Sequence, residues 1–228
     1  MRVLYAGDSL IGGAANYLLA VLKSLRAQVV HLDPSQTLAR RMLARRFDAV
    51  ILSDFSRDRV PSTSERALAQ QVTDGTGLLM VGGWGSFSGP LGRWRGSQVE
   101  TLMPVRCLNR DDRRNFPSGA LITLRRPHAM FGTMSFREPP AICGLNLVQP
   151  KPEGRVILTA QPLIVRRGGS SVALSAAAHP LLVVDADPQR RIAALTTDLA
   201  PHWCGGLVDW GRRRVLPVTG TIRVEIGE

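Results

Sequence analysis

The sequence predicts an α/β protein built on a doubly wound, mostly parallel sheet. Three observations point there: strand and helix signals alternate four times in the first 81 residues, the strand segments are continuously apolar, and sharp turn signals close them. The first strand is Arg2-Val3-Leu4-Tyr5-Ala6, closed by the turn Gly7-Asp8-Ser9. Residues 14–25 (AANYLLAVLKSL) carry apolar residues at helical spacing. A second strand follows at 28–32. Residues 35–46 read as a basic amphipathic helix, with Leu38, Met42 and Leu43 on one face and arginines on the other. A third strand spans 48–52, and a helix spans 63–72, with Ser62 or Thr63 expected as its cap and Glu65 in its first turn. The fourth strand, 76–81, ends in the glycine-rich turn Gly82-Gly83-Trp84-Gly85-Ser86-Phe87.

The alternation then stops. Residues 85–150 are rich in Gly, Pro, Arg and Asn and are expected to form long loops and small antiparallel pieces over the strand ends, an elaboration that is usually functional at this length. Strand signals return at 155–160, 163–165, 181–184 and 191–197. One domain spanning 1–228, with an insertion at about 85–150, is the simplest organisation for 228 residues, and 44% hydrophobic content gives a chain of this length an ordinary core.

The formal net charge is +11, and 27 of the 29 basic residues are arginine. They occur mostly as scattered pairs such as Arg40-Arg41 and Arg125-Arg126, the only run of three being Arg212-Arg213-Arg214. That spread, with aromatics at 5%, argues against a dedicated nucleic-acid surface. No stretch reaches the ~20 apolar residues needed to cross a bilayer, and no cleavable apolar leader opens the chain, so the cytoplasm is the expected location. Cys107, Cys143 and Cys204 are widely spaced and odd in number, which indicates neither a disulfide framework nor a metal site; no cofactor is expected.

Ligand sites of open α/β sheets lie outside the carboxyl ends of the strands. The turn at 82–87 occupies such a position, and a nucleophile elbow would place its reactive residue at Trp84. Gly7-Asp8-Ser9-Leu10 spells the block that names the GDSL esterases, but the matching C-terminal Asp and His are spaced four apart here, at Asp198 and His202, instead of three. Asp8 and Ser9 are therefore read first as helix-capping or sheet-mouth residues. Asp111-Asp112-Arg113-Arg114-Asn115 reads as a loop held by local ion pairs or, less simply, as paired carboxylates for a cation. The segment from Asp198 through His202, Trp203 and Cys204 to Asp209-Trp210 holds enough polar and aromatic chemistry for a site, or for packing alone.

Taken in order, these pieces resemble the class I glutamine amidotransferase-like cytoplasmic proteins. The resemblance rests on Tyr5-Ala6-Gly7-Asp8, Ile51-Leu52-Ser53-Asp54, the segment 77–84 with Ser86-Phe87, Asp111-Asp112-Arg113 with Asn115, Gly144-Leu145-Asn146, and the segment 198–211. It implies a flavodoxin-like sheet. It also implies that the catalytic cysteine of active members would fall on Trp84 or a neighbour, and the histidine on His202. Two residues after His202 stands Cys204, where active members place a glutamate. Glutaminase chemistry is therefore not expected. The pocket implied at the strand ends draws on Asp8, Ser9, Asp54, Gly83, Trp84, Asp112, Asn115, Asn146 and Trp203, with His202 and Ser86 as the candidate catalytic pair. A small molecule is the expected ligand, and a homo-oligomer the expected assembly. The alternatives are a serine hydrolase using Ser9 or Ser86 with His202, and a non-catalytic assembly module.

Overall fold

The computed structural model describes residues 1–7, 14–165, 171–199, 203, 214–219 and 222–226. Its main feature is one ten-stranded sheet in two halves. The parallel half is made of β1 (Arg2–Gly7), β2 (Gln28–Leu32), β3 (Ala49–Ser53), β4 (Gly77–Val81) and a late strand, β12 (Ile192–Leu195), in the order β2-β1-β3-β4-β12. This is the flavodoxin-like order, whose reversal point lies between β1 and β3. Helix α1 (Ala14–Ser24) and helix α2 (Ser62–Thr73) follow β1 and β3. Because β1 is buried on both faces, its alternate residues enter different cores. Leu4 and Ala6 join Leu52, Met80 and the α2 residue Leu68, whereas Val3 and Tyr5 pack with Leu22 of α1 and Ile51.

The sheet continues antiparallel through β11 (His179–Asp185), β9 (Gly154–Val165), β6 (Arg113–Leu124) and β7 (Ala141–Asn146), with β10 (Val172–Leu174) beside the far end of β9. Short strands β5 (Val105–Cys107) and β8 (Val148–Pro150) pair with each other, as do β13 (Arg214–Thr219) and β14 (Ile222–Ile226). Helix α3 (Gln98–Leu102) precedes β5. The antiparallel half curls back on itself: the Asn146 N–H at the end of β7 donates to Thr196 O just beyond β12 (2.8 Å), and Thr197 Oγ1 donates to Gly144 O (2.9 Å). Its apolar interior holds Phe116, Ile122, Ile142, Leu145, Ile157 and Leu181.

Three expectations are corrected. The amphipathic helix at 35–46 is only a single 3₁₀ turn, Arg40–Leu43. Asp33 takes the Ser35 N–H and hydroxyl in a local turn, and the Leu38 N–H donates to Arg59 O (2.8 Å), so a long-range bond replaces the helical one. Leu38 and Leu43 still reach the core. Neither Ser62 nor Thr63 caps α2: Pro61 holds the cap position without a side-chain bond, and its carbonyl accepts from Ser64 and Glu65. The middle region contains a twelve-residue strand, β6, not only loops and short pieces. Pro117 and Gly119 obscure it in the sequence because they form an irregularity between Asn115 and Ala120, where β6 bulges away from β7.

Candidate functional site

At the carboxyl ends of β3, β4 and β12 the two halves of the sheet meet, and the turn 82–87 lies at that seam. Its glycines are required by crowding. A Cβ on Gly82 would lie 2.1 Å from Thr196 O and 2.7 Å from Asn146 Oδ1. On Gly83, whose φ is +138°, it would lie 2.7 Å from the Asp54 carboxyl carbon, and on Gly85 2.8 Å from Asp54 O. Asp54 itself adopts a left-handed backbone (φ 53°), and its carboxylate accepts from the Gly85 N–H.

Four of the turn's six backbone N–H groups, those of Gly82, Gly83, Gly85 and Ser86, are bonded within the protein. Gly82 N–H is shared between Leu195 O (2.8 Å) and Thr197 O (3.0 Å), Gly83 N–H donates to Asn146 Oδ1 (2.8 Å), and Ser86 N–H donates to Gly83 O (3.4 Å). Ser86 is buried, and its hydroxyl donates to Val81 O (2.5 Å) while accepting from the Asp54 N–H (3.1 Å). Phe87 (φ 46°) and Trp94 close the far side. The Trp94 N–H meets Phe87 O and its indole N–H meets Phe55 O, each at 2.9 Å.

Behind the turn stands a fully buried polar pair, Asp112 and Asn146. Asn146 Nδ2 donates to Asp112 Oδ1 (2.7 Å) and to Gly83 O (3.2 Å), and the Ser88 N–H donates to Asp112 Oδ2 (2.6 Å). Burial pushes the Asp112 carboxyl up to about 6, against the pull of these donors. A carboxyl raised in this way binds its proton more tightly folded than unfolded. Its stabilising contribution is therefore complete below pH ~4, falls as pH rises through about 6, and stays low above that. The span is on the order of 2–3 kcal/mol. Urea midpoints measured from pH 4 to 7 are expected to show this loss in the wild type and not in Asp112→Asn.

The accessible part of the site lies beyond this buried layer. Trp84 is half exposed, with the Arg113 guanidinium 4.3 Å over its ring. Arg113 is held from the other side by Asp111, with Nη2 to Oδ2 at 2.7 Å and Nε to Oδ1 at 3.0 Å. That pair is the local ion-pair reading of residues 111–115, and among the described residues no group of three His, Cys, Asp or Glu forms a metal cage. Trp203 packs flat on Gly144, where a Cβ would lie 2.4 Å from its indole nitrogen, and that nitrogen donates to Asn115 Oδ1 (2.9 Å).

The expected site residues therefore divide. Asp54, Gly83, Ser86, Asp112 and Asn146 meet one another and satisfy each other's polar atoms. Trp84 reaches the surface, and Asn115 holds Trp203. Asp8, Ser9 and His202 lie outside the described residues. Sequence reasoning did not single out Arg113, Thr196 or Gly144 as site residues. Arg113 and Gly144 stood within motifs that carry the resemblance but were given no role of their own, and the roles of Thr196 and Gly144 depend on the curl of the antiparallel half.

The family described as "Putative glutamine amidotransferase" matches residues 11–218. The chain belongs to this glutamine amidotransferase-like family. Among solved structures it is similar to the Cytoplasmic Protein STM1381 from Salmonella typhimurium LT2, at 22% identity and a TM-score of 0.69, over 90% of this chain and 91% of that one. It is also similar to the Cytoplasmic Protein STM3548 from Salmonella typhimurium, at 21% identity and a TM-score of 0.69, over 89% and 90% of the two chains. The mmIFT52 N-terminal domain is more distant, at 10% identity and a TM-score of 0.57 over 90% of each chain. At these identities the likeness is one of fold. No curated protein matches the chain, and none of its described helices is long and apolar enough to cross a membrane. In the turn that closes β4, the tip is the indole of Trp84. The positive φ values of the turn fall on Gly83 and Phe87 and not on Trp84, and the segment after it runs through turns before reaching α3.

Proposed function

We propose that this member of the glutamine amidotransferase-like family does not hydrolyse glutamine and uses its strand-end surface for non-covalent recognition of a small molecule. One observation carries the reading: the N–H groups of Gly82, Gly83, Gly85 and Ser86 are all donated to protein acceptors. Acyl transfer needs a nucleophile on the turn and donors aimed at the developing oxyanion. No two adjacent N–H groups of this turn are free for that task. The indole of Trp84 offers no nucleophile, and the Ser86 oxygen already donates to one backbone group and accepts from another.

Trp84 with Arg113 stacked above it, and Asn115 beside Trp203, supply an aromatic plate and a fixed cation at the surface. Such groups orient a bound molecule without reacting with it. Cytoplasmic residence is part of the proposal, supported by the description of both Salmonella proteins as cytoplasmic.

Ammonia release from glutamine, followed with a coupled dehydrogenase, is expected to match a protein-free blank. Turnover that Ser86→Ala abolishes would overturn the reading and restore the serine as a catalytic residue.

A further inference from the structure

The opposite end of the sheet, at the amino ends of the parallel strands, carries a second concave feature with its own chemistry. It is a cavity of about 740 Å³ lined by Arg125, Arg126 and Arg155 together with Pro152, Gly154 and Ala186. The backbone fixes this arrangement. The Arg125 N–H donates to Ile157 O (2.8 Å) at the end of the β6–β9 ladder, and Arg155 pairs with Val184 at the start of β9. Gly154 is wedged so closely that a Cβ would lie 2.3 Å from Pro104 O, and the Ala186 N–H is tied to Glu153 O (2.7 Å).

Four described arginines meet carboxylates: Arg57 meets Glu65, Arg93 meets Asp58, Arg113 meets Asp111 and Arg190 meets Asp185. The three cavity arginines, like Arg95 and Arg106, are not among them; what sets them apart is that they gather at one concavity whose lining includes no acid. Among the described residues, no carboxylate or carbonyl engages their guanidinium groups. The acids nearest in sequence are occupied or outside the lining. Asp185 is buried against Arg190, Asp187 accepts from the Gln189 N–H, and Glu153 does not line the cavity. Three unneutralised guanidinium groups around a concave surface focus a positive potential, and their planar forks match phosphate oxygens in pairs. The volume lies within the range of small-molecule sites.

We propose that this cavity is a binding site for a small molecule bearing a di- or triphosphate chain, independent of the strand-end surface. The test is calorimetric titration of the whole protein with inorganic triphosphate, pyrophosphate and orthophosphate at about 150 mM salt, where exposed charges are well screened. One-to-one binding of triphosphate is expected, weakening from tri- to pyro- to orthophosphate. The triple variant Arg125→Gln/Arg126→Gln/Arg155→Gln should lose about tenfold or more in affinity, a change of at least one decade in Kd. The single variant Arg126→Gln should lose less, and circular dichroism should show both folded.

Arg95→Gln/Arg106→Gln, placed in a different basic cavity lined also by Lys151, should bind as the wild type does. A nucleoside triphosphate run beside inorganic triphosphate separates recognition of a base from recognition of the phosphate chain. Absence of binding at this salt would overturn the proposal, as would equal loss in the triple and Arg95/Arg106 variants. So would binding of a short single-stranded oligonucleotide that triphosphate does not displace, which would make the face a nucleic-acid surface.

Discussion

Asn146→Leu is expected to cost about 3–5 kcal/mol of folding stability, read as a fall in the urea midpoint at neutral pH. The side chain is fully buried, and leucine keeps its branched heavy-atom skeleton, with bulkier methyl ends in place of the amide oxygen and nitrogen. What is lost is polar satisfaction. The Gly83 N–H, the Gly83 carbonyl and Asp112 Oδ1 each lose a partner in a place that water does not reach. An orphaned neutral group costs roughly 1–3 kcal/mol, and a carboxylate more, until protonation relieves it. The Asp112 carboxyl should then move further up, and the loss of stability with rising pH should steepen. The double variant Asn146→Leu/Asp112→Leu should cost less than the two single losses added together, because each single change strands the other partner. Additive losses would mean that the two side chains act separately.

Gly82→Ala is the second large effect, and its cause is steric. The new methyl would sit 2.1 Å from Thr196 O and 2.6 Å from Thr196 C, both backbone atoms. Neither strand can yield cheaply. Gly82 N–H holds Leu195 O and Thr197 O, while Thr196 O is held by the Asn146 N–H. The β4–β12 edge must part at the seam, at a cost of more than about 3 kcal/mol. For a chain of this size that is a drop in Tm of roughly 6–12 °C, with loss of folded yield. Gly96→Ala is the control. Its φ of +74° imposes backbone strain, but nothing lies within 4 Å of the added carbon, so about 1 kcal/mol is expected. Similar shifts in the two variants would show that the seam is not tightly packed.

The parallel half was legible in the sequence because each strand is a continuous apolar run closed by a turn, a local pattern that burial on both faces demands. Segment 35–46 was misread for the converse reason. Leu38, Met42 and Leu43 have helical spacing, yet the conformation is decided by the Asp33 turn and by a bond from Leu38 to Arg59 that no local window contains. β6 was hidden by Pro117 and Gly119, which ordinarily end a strand and here mark its irregularity.

At the site, sequence reasoning brought together Asp54, Gly83, Trp84, Asp112 and Asn146 before their contacts were visible. It could not tell a lined pocket from a knot of mutual hydrogen bonds, because both need polar residues near glycines. The curl that sets Asn146 beside Thr196 makes the difference, and that curl arises from the whole antiparallel half.

The claim that the turn is closed to glutamine chemistry is tested most directly with an electrophilic chloroketone analogue of glutamine, followed by intact-mass and peptide mapping. Free glutamine supplies the protection control. The account predicts no glutamine-protectable adduct, with at most slow, unprotected labelling of the exposed Cys143 thiol. A stoichiometric adduct on Ser86 or Cys204 that free glutamine prevents would contradict it.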